Sequence, residues 1–574
     1  MDRLSKVASN CLLPAKKLFK LILDLIENCH SYSFSLLNSQ NLTKQYFSKI
    51  SSFESQLNSY SPFTLILFGI FLIFIYYFIK FILNCFAKIV NFFLNIKENL
   101  ILLLAKLPGQ KAKFAETKKV INEGFKKNFR KKFQKIEFYD NKQDYTKILL
   151  KMEKNFLGDN PKIKCGKLTG SVYCLDAQIK YIAGEATKTF LYSNLLHPDI
   201  YSYTRYIESE LIKLGVQLFN GGEDACGLTT NGGTMSILNA VFSYVNRGRK
   251  LGIKNPELII SITAHCAFEK ACELFGVKCI KIPLDKKTYQ INLNLVEKNI
   301  SKNTICLVGS FPNFPHCLTD DIEKLSKLGL KYNIPLHVDC CLGGFLVAFY
   351  ERAGIYDIPK FDFRLPGVTS ISADLHKYGL CPKGISLLMF SKHQYRRNAY
   401  FIYPRWPGGV YITPGFEGSR TGALIAASFA ILTSMGKEFY ANNAKKLYDV
   451  VKKVKEFIKK ECNLIEVIGD PFICGVSFTG KYIPLFYDKL SEKGFAVNFL
   501  NSPNGIGFVF TSANVDKADE YMKTLKEIND WLNKEKPDEK KSSDITKLYG
   551  LSYTLPLGIA TNALDNYADV ILDS

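Results

Sequence analysis

Acidic residues are in short supply in this chain. Its 574 residues hold 53 Asp and Glu against 75 Lys and Arg, a formal net charge of +22. No C-x-x-C occurs among the 16 cysteines; Cys340 and Cys341 are adjacent, and others such as Cys306 lie inside apolar runs. That spacing argues against a disulfide framework and reads as reduced, buried thiols of a cytosolic fold. The seven histidines are scattered, with no ligand cluster at zinc spacing, so no metal is expected. Neither a Walker loop nor a G-x-G-x-x-G is present, which removes two common nucleotide signatures. Helix-turn-helix and RNA-binding aromatic patterns are missing too, so no nucleic-acid partner is expected. The basic excess is also uneven. Residues 106–135 carry eleven Lys and Arg against Glu116 and Glu123, and a lipid surface suffices to explain such a stretch.

An apolar fraction of 47% is ordinary for a globular protein, and the length leaves room for more than one domain. Residues 61–79, S-P-F-T-L-I-L-F-G-I-F-L-I-F-I-Y-Y-F-I, contain no charge. At a rise of about 1.5 Å per residue the run matches a hydrocarbon core of about 30 Å. A single transmembrane helix is expected there, with Tyr76, Tyr77 and Lys80 at the interface. Lys80, Lys88, Lys97, Lys106 and Lys111 follow the run, whereas only Lys44 and Lys49 closely precede it. The positive-inside rule therefore directs the C-terminal part to the cytosol and 1–60 to the lumen. Residues 1–60 lack the cleavage site of a signal peptide. Asn41 opens an N-L-T sequon on the lumenal side. Residues 80–154 read as a basic juxtamembrane and helical segment, whose apolar part, 81–104, either lies on the membrane or re-enters it.

From about Asn155 the texture becomes α/β. Strand-like runs at 258–261, 304–308, 336–338, 368–371 and 385–390 alternate with helical periodicity, as at 320–328. Such alternation predicts a mostly parallel sheet covered by helices over 155–436. A Lys-rich helix at 445–460 and short strands at 476–478 and 508–510 predict a smaller α+β domain over 437–574.

Three stretches carry chemistry. Residues 372–384 read S-A-D-L-H-K-Y-G-L-C-P-K-G and place Lys377, with His376 beside it, just after a buried β-branched run. A lysine at a strand end is where α/β sheets put ligands, and it reads as the amine that forms a Schiff base with pyridoxal phosphate. A solvated loop lysine is the plainer alternative. Residues 229–236, T-T-N-G-G-T-M-S, open an apolar-periodic helix, so Gly232, Gly233 and Thr234 read as a phosphate cradle or as a glycine turn with a threonine cap. Asp339 ends the strand-like L-H-V-D and is either the carboxylate partner of a pyridine nitrogen or a helix cap. His265, in T-A-H-C-A-F, follows another strand and is either a residue stacked on a flat ring or a structural histidine.

In order along the chain these groups match fold type I pyridoxal enzymes. The sequence resembles the sphingosine-1-phosphate lyase family, relatives of the group II decarboxylases, over nearly its whole length. The matching stretches are S-N-L-L-H-P-D (193–199), F-N-G-G (219–222), H-V-D-C-C-L-G-G-F (337–345), V-T-S-I-S-A-D-L-H-K-Y-G (368–379), P-K-G (382–384), W-P-G-G-V-Y (406–411) and G-S-R (418–420). The resemblance implies that Lys377 binds pyridoxal 5'-phosphate, with His376 against it, Asp339 on the pyridinium and His265 over the ring. It implies that Gly232, Gly233 and Thr234 hold the cofactor phosphate, with Gly418 and Ser419 of a second subunit of a homodimer. Lys383, His197 and Tyr173 would grip the substrate phosphate. The activity implied is retro-aldol cleavage of phosphorylated sphingoid bases to a long-chain aldehyde and phosphoethanolamine, at the endoplasmic reticulum membrane. The base is left open among released Lys377, a tyrosine and a phosphate oxygen. Leu195, Leu375 and Met235 depart from the family's proline, threonine and glutamate, and Glu417 and Thr421 flank the G-S-R turn. A pyridoxal decarboxylase and a catalytically silent, membrane-tethered scaffold are the rival readings. Lys383 and the span argue against the first, and Lys377, Asp339 and His265 against the second.

Overall fold

The computed structural model describes residues 144–159 and 165–538, together with Tyr77 and Ile163. The expected span at 61–79 therefore lies outside the described residues, Tyr77 excepted, as do 1–60 and 80–143. Among the described residues no helix is long and apolar enough to cross a membrane. Residues 144–538 belong to one compact unit, Ile136–Thr554.

A seven-stranded sheet organises this unit. Its strands are β1 (Cys226–Thr230), β2 (Glu257–Ser261), β3 (Lys278–Ile282), β4 (Thr304–Ser310), β5 (Leu336–Asp339), β6 (Val368–Ala373) and β7 (Ser386–Phe390), in the spatial order β1-β7-β6-β5-β4-β2-β3. Only β7 runs against its neighbours. The rest are parallel, as runs of Val, Ile and Leu buried on both faces require. β1 escapes a reading by apolar runs because C-G-L-T-T is half polar; it is a strand because it pairs with β7 from Cys226↔Phe390 to Thr230↔Ser386. Edge strand β3, K-C-I-K-I, carries two lysines, which discourage pairing with another chain.

Helices cover both faces. They include α1 (Ala177–Thr189), α2 (Ser202–Leu218), α3 (Gly233–Lys250), α4 (Ala267–Phe275) and α5 (Ile322–Tyr332). Local chemistry sets their ends: Asp176 caps α1 by accepting from Ile179 N, and Asp321 caps α5 by accepting from Lys324 N, each at 2.9 Å. The predicted helix at 320–328 thus begins at Ile322, because Asp321 is its cap. A long helix, α6 (Gly422–Glu461), bends at Gly436, whose φ of 69° is left-handed. Residues 436 and 437, between which a boundary is expected, lie within this helix.

Beyond it lies a four-stranded antiparallel sheet of β10 (Ile465–Val467), β11 (Gly475–Gly480), β12 (Asn498–Asn501) and β13 (Asn504–Val509), in the order β10-β11-β13-β12. Helix α7 (Ala518–Glu535) packs nearby, and Tyr521 stacks on Phe508 at 4.6 Å between ring centres. This part grips the larger one at a telling point. The Tyr378 hydroxyl donates to the Phe510 carbonyl at 2.6 Å, so the residue after Lys377 is anchored on the small sheet's side.

Strand β6 has no slack where it begins. A Cβ added at Gly367 would sit 2.4 Å from the Ser326 carbonyl oxygen. Gly367→Ala must therefore push β6 away from α5, and we expect a loss of about 1–3 kcal/mol together with weaker cofactor binding. Denaturant unfolding and cofactor titration check this; unchanged values for both would contradict it.

Candidate active site

The parallel strands bring their C-terminal ends to one edge of the sheet. Register pairs Ser310 of β4 with Asp339 of β5, and Asp339 with Ser372 of β6. The turn after β6 then delivers Asp374, His376 and Lys377. At this edge Lys377 Nζ lies 2.9 Å from Asp374 Oδ2, and His376 Nε2 lies 3.5 Å from the same oxygen. Burial pulls the Lys377 pKa down, but the groups around it, the Asp374 carboxylate foremost, together hold the amine above the ordinary lysine value. His376 is depressed by burial, and its Nδ1 accepts from Ile385 N at 3.3 Å.

The turn from β1 into α3 faces this group. Gly232 has φ 89° and α3 begins without a side-chain cap, so its first N–H groups are free to receive an anion. A Cβ at Gly232 would come within 3.3 Å of His376 Cε1, and one at Gly233 within 2.7 Å of Asp374 Oδ1. Glycine at both positions is thus a packing requirement of the site. Thr234 is exposed in the first turn of α3. Asp339 is buried; its Oδ1 accepts from Cys341 N at 3.0 Å and from the Ser372 hydroxyl at 3.2 Å. His265, half-buried in the turn after β2, uses Nδ1 to accept from Ala267 N at 3.1 Å.

The residues expected to hold a substrate phosphate divide. Lys383 Nζ sits 4.4 Å over the buried ring of Tyr173, which in turn meets Tyr378 edge-on at 5.1 Å. Partial desolvation and then the charge of Lys377 lower the Lys383 pKa, whereas burial raises that of Tyr173 and keeps its hydroxyl protonated at neutral pH. His197 is exposed in a separate loop, and among the described residues it makes only backbone hydrogen bonds, to Asn194 and Tyr201. That loop joins the 417–421 strap: Leu195 N donates to Arg420 O at 3.0 Å, and Asn194 Nδ2 to Ser419 Oγ at 3.0 Å. The strap is tied to the cradle of its own chain, since Glu417 Oε1 accepts from Asn231 N at 3.2 Å and Arg420 reaches Thr229 Oγ1 at 2.9 Å. Arg420 is neutralised by Glu208 of α2.

Comparison with known proteins gives these groups a context. Residues 217–481 match the pyridoxal-dependent decarboxylase conserved domain. Sphingosine-1-phosphate lyase of Saccharomyces cerevisiae is 38% identical over 71% of this chain and 70% of that relative. The corresponding lyase 1 of Rattus norvegicus is 37% identical over 71% of this chain and 72% of its own. The chain belongs to the sphingosine-1-phosphate lyase family. The solved structure of a Burkholderia pseudomallei sphingosine-1-phosphate lyase superposes with a TM-score of 0.67 at 34% identity, covering 70% of this chain and 94% of that one. A Lactobacillus brevis glutamate decarboxylase, at 20% identity and a TM-score of 0.59, shares the fold.

The cofactor of this family is pyridoxal 5'-phosphate, and the site fits it. Uncapped N–H groups beside two obligatory glycines suit the phosphate, Lys377 suits the aldehyde carbon, and Asp339 Oδ2, which accepts no hydrogen bond among the described residues, suits the ring nitrogen. Four of the residues at which the chain differs from the family pattern or that flank its G-S-R turn have simple local roles. Leu195 and Leu375 fill the core, and Thr421 caps α6 by accepting from Ala423 N at 3.2 Å. Met235 packs against the core between α3 and α4. Reading the sequence missed Asp374, though its place three residues before Lys377 is the signal for an ion pair. It also gave no role to His337, whose Nδ1 and Nε2 meet Ser370 Oγ at 2.7 Å and Ser372 Oγ at 3.1 Å.

Burial holds the His337 pKa down to about 4, against 6.5 for a free histidine. Its neutral form thus contributes about 3 kcal/mol that is fully present above pH 6.5 and is lost as pH falls towards 4. We expect the wild type to lose up to about 3 kcal/mol more than His337→Gln between pH 7.5 and 4.5. Denaturant unfolding at both pH values measures this; equal losses would contradict it.

Proposed function

We propose that the chain cleaves a phosphorylated long-chain sphingoid base between the amine-bearing carbon and its hydroxyl-bearing neighbour, releasing a long-chain aldehyde and phosphoethanolamine. The observation that carries the reading is the joining of Lys377, Asp339 and the α3 cradle at one sheet edge, with a second cation, Lys383, at its mouth. Bound pyridoxal phosphate supplies the electron sink for the carbon left negative by the cleavage. Asp339 Oδ2 holds the ring nitrogen protonated. Gly232, Gly233 and Thr234 would receive the cofactor phosphate, and His265 and His376 would lie beside the ring. Lys383 and the protonated Tyr173 hydroxyl offer charge and a hydrogen bond to the substrate phosphate. Lys377 Nζ is the group we assign as base for the substrate hydroxyl. Asp374 Oδ2 would stabilise the ammonium that results, and that ammonium would return the proton to the carbon left negative, giving phosphoethanolamine.

We further propose a homodimer anchored in the endoplasmic reticulum membrane through 61–79, with the catalytic part cytosolic. The uncharged run and the lysines behind it support the anchor. An exposed hairpin, β8 (Phe401–Trp406) and β9 (Gly409–Thr413), supports the dimer. It presents Phe401, Ile402, Trp406, Val410 and Ile412, each more than half exposed. Protease protection of sealed microsomes and light scattering after solubilisation test the two. A lumenal catalytic part or a monomer would contradict them.

Incubating the detergent-solubilised chain with pyridoxal phosphate and a phosphorylated long-chain base should release aldehyde. Lys377→Ala should abolish release, and Lys383→Met should raise KM roughly tenfold or more through loss of a charge-assisted contact. Carbon dioxide from amino acids in place of aldehyde would overturn the assignment.

A further inference from the structure

Counting hydrogens fixes the direction of an unbroken set of buried bonds behind Asp339. Asp339 Oδ1 is already an acceptor for Cys341 N, so the Ser372 hydroxyl, 3.2 Å away, donates to it. Ser372 has no second hydrogen. Its contact with His337 Nε2 at 3.1 Å must therefore be a donation from the ring N–H. The other ring nitrogen is then a bare lone pair and takes the Ser370 hydroxyl hydrogen at 2.7 Å. With that hydrogen committed, the Tyr244 phenol, 2.6 Å from Ser370 Oγ, donates in turn. Thr369 Oγ1, 2.6 Å from Tyr244 Oη, closes the far end by giving its one hydrogen to the phenol oxygen rather than to the Leu336 carbonyl 3.0 Å away. Tyr244, Ser370 and His337 are each 1% exposed or less, so no water competes along the way.

The geometry points to Tyr244, Ser370, His337 and Ser372 as a one-way relay of donors that fixes Asp339 Oδ1 and leaves Oδ2 as the oxygen for the cofactor ring nitrogen. These are positioning residues, and the inference rests on the pyridoxal lyase reading above. Every dipole in the relay turns its positive end towards the carboxylate, which favours the ionised form where water is excluded. The relay starts on α3, the helix whose N-terminus is the phosphate cradle. One helix therefore sets both the phosphate end and, through four side chains, the ring-nitrogen end of the cofactor site.

The test has two parts. In the cofactor-free chain labelled with nitrogen-15 histidine, the His337 signal, assigned by its loss in His337→Gln, should show a protonated Nε2 and a bare Nδ1 at neutral pH. The opposite tautomer, or an imidazolium, would overturn the relay whatever the activity. In the loaded enzyme, Ser372→Ala should lower kcat roughly tenfold with KM within about twofold, and should weaken cofactor binding measured by absorbance titration. His337→Gln, whose amide can accept from Ser370 and donate to Ser372, should recover most of what His337→Phe loses. A folded Ser372→Ala with wild-type kcat and cofactor affinity, or equal losses in the two His337 variants, would refute the positioning role. If wild type released no aldehyde, the lyase reading would fall, while the tautomer result would stand or fall by itself.

Discussion

Parallel register across β4, β5 and β6 is the constraint on which the molecule depends. It sets Ser310, Asp339 and Ser372 side by side at one sheet edge and so brings a carboxylate next to the turn that carries Lys377. Because side chains alternate along a strand, a slip of one residue would turn Asp339 and His337 to the opposite face together. The small antiparallel sheet contributes to the same end. Tyr378, bonded to the Phe510 carbonyl, holds the turn that presents the lysine.

Charge at this edge is balanced within the chain. Asp374 is almost fully buried, and together with the other groups around Lys377 it keeps the amine above its ordinary value despite burial, whereas at His376 burial prevails. The other Asp374 oxygen, Oδ1, is buried with no hydrogen-bond partner among the described residues, and a Cβ at Gly233 would come within 2.7 Å of it. A similar economy operates at the strap, where Arg420 is matched by Glu208 beneath it. Glu417 accepts a hydrogen bond from Asn231 at the cradle's margin, so its carboxylate points towards the anion site it borders.

Much of the site is readable in the sequence because its groups sit at strand ends. L-H-V-D is apolar on alternate residues, V-T-S-I-S-A opens on a β-branched run, and each ends where chemistry begins. The polar members of these runs were legible in principle, since His337 and Asp339 share one face of β5, and Ser370 and Ser372 share one face of β6. Their partnership across strands was not, because it depends on the register His337↔Ser370 and Asp339↔Ser372. β1 was hidden for a related reason. Its stability comes from pairing with β7 and from burial, and five residues with two threonines and a glycine do not announce that. Proximity between distant loops was equally out of reach: Lys383 and Tyr173 lie 210 positions apart, yet the cation rests on the ring.

Trapping the cofactor bond tests the central claim most directly. The full chain, loaded with pyridoxal phosphate, would be reduced with borohydride, digested and mapped by mass spectrometry. A phosphopyridoxyl group on Lys377, lost from that peptide in Lys377→Ala, is the result expected. A label on another lysine, or none on a folded chain saturated with the cofactor, would contradict the account.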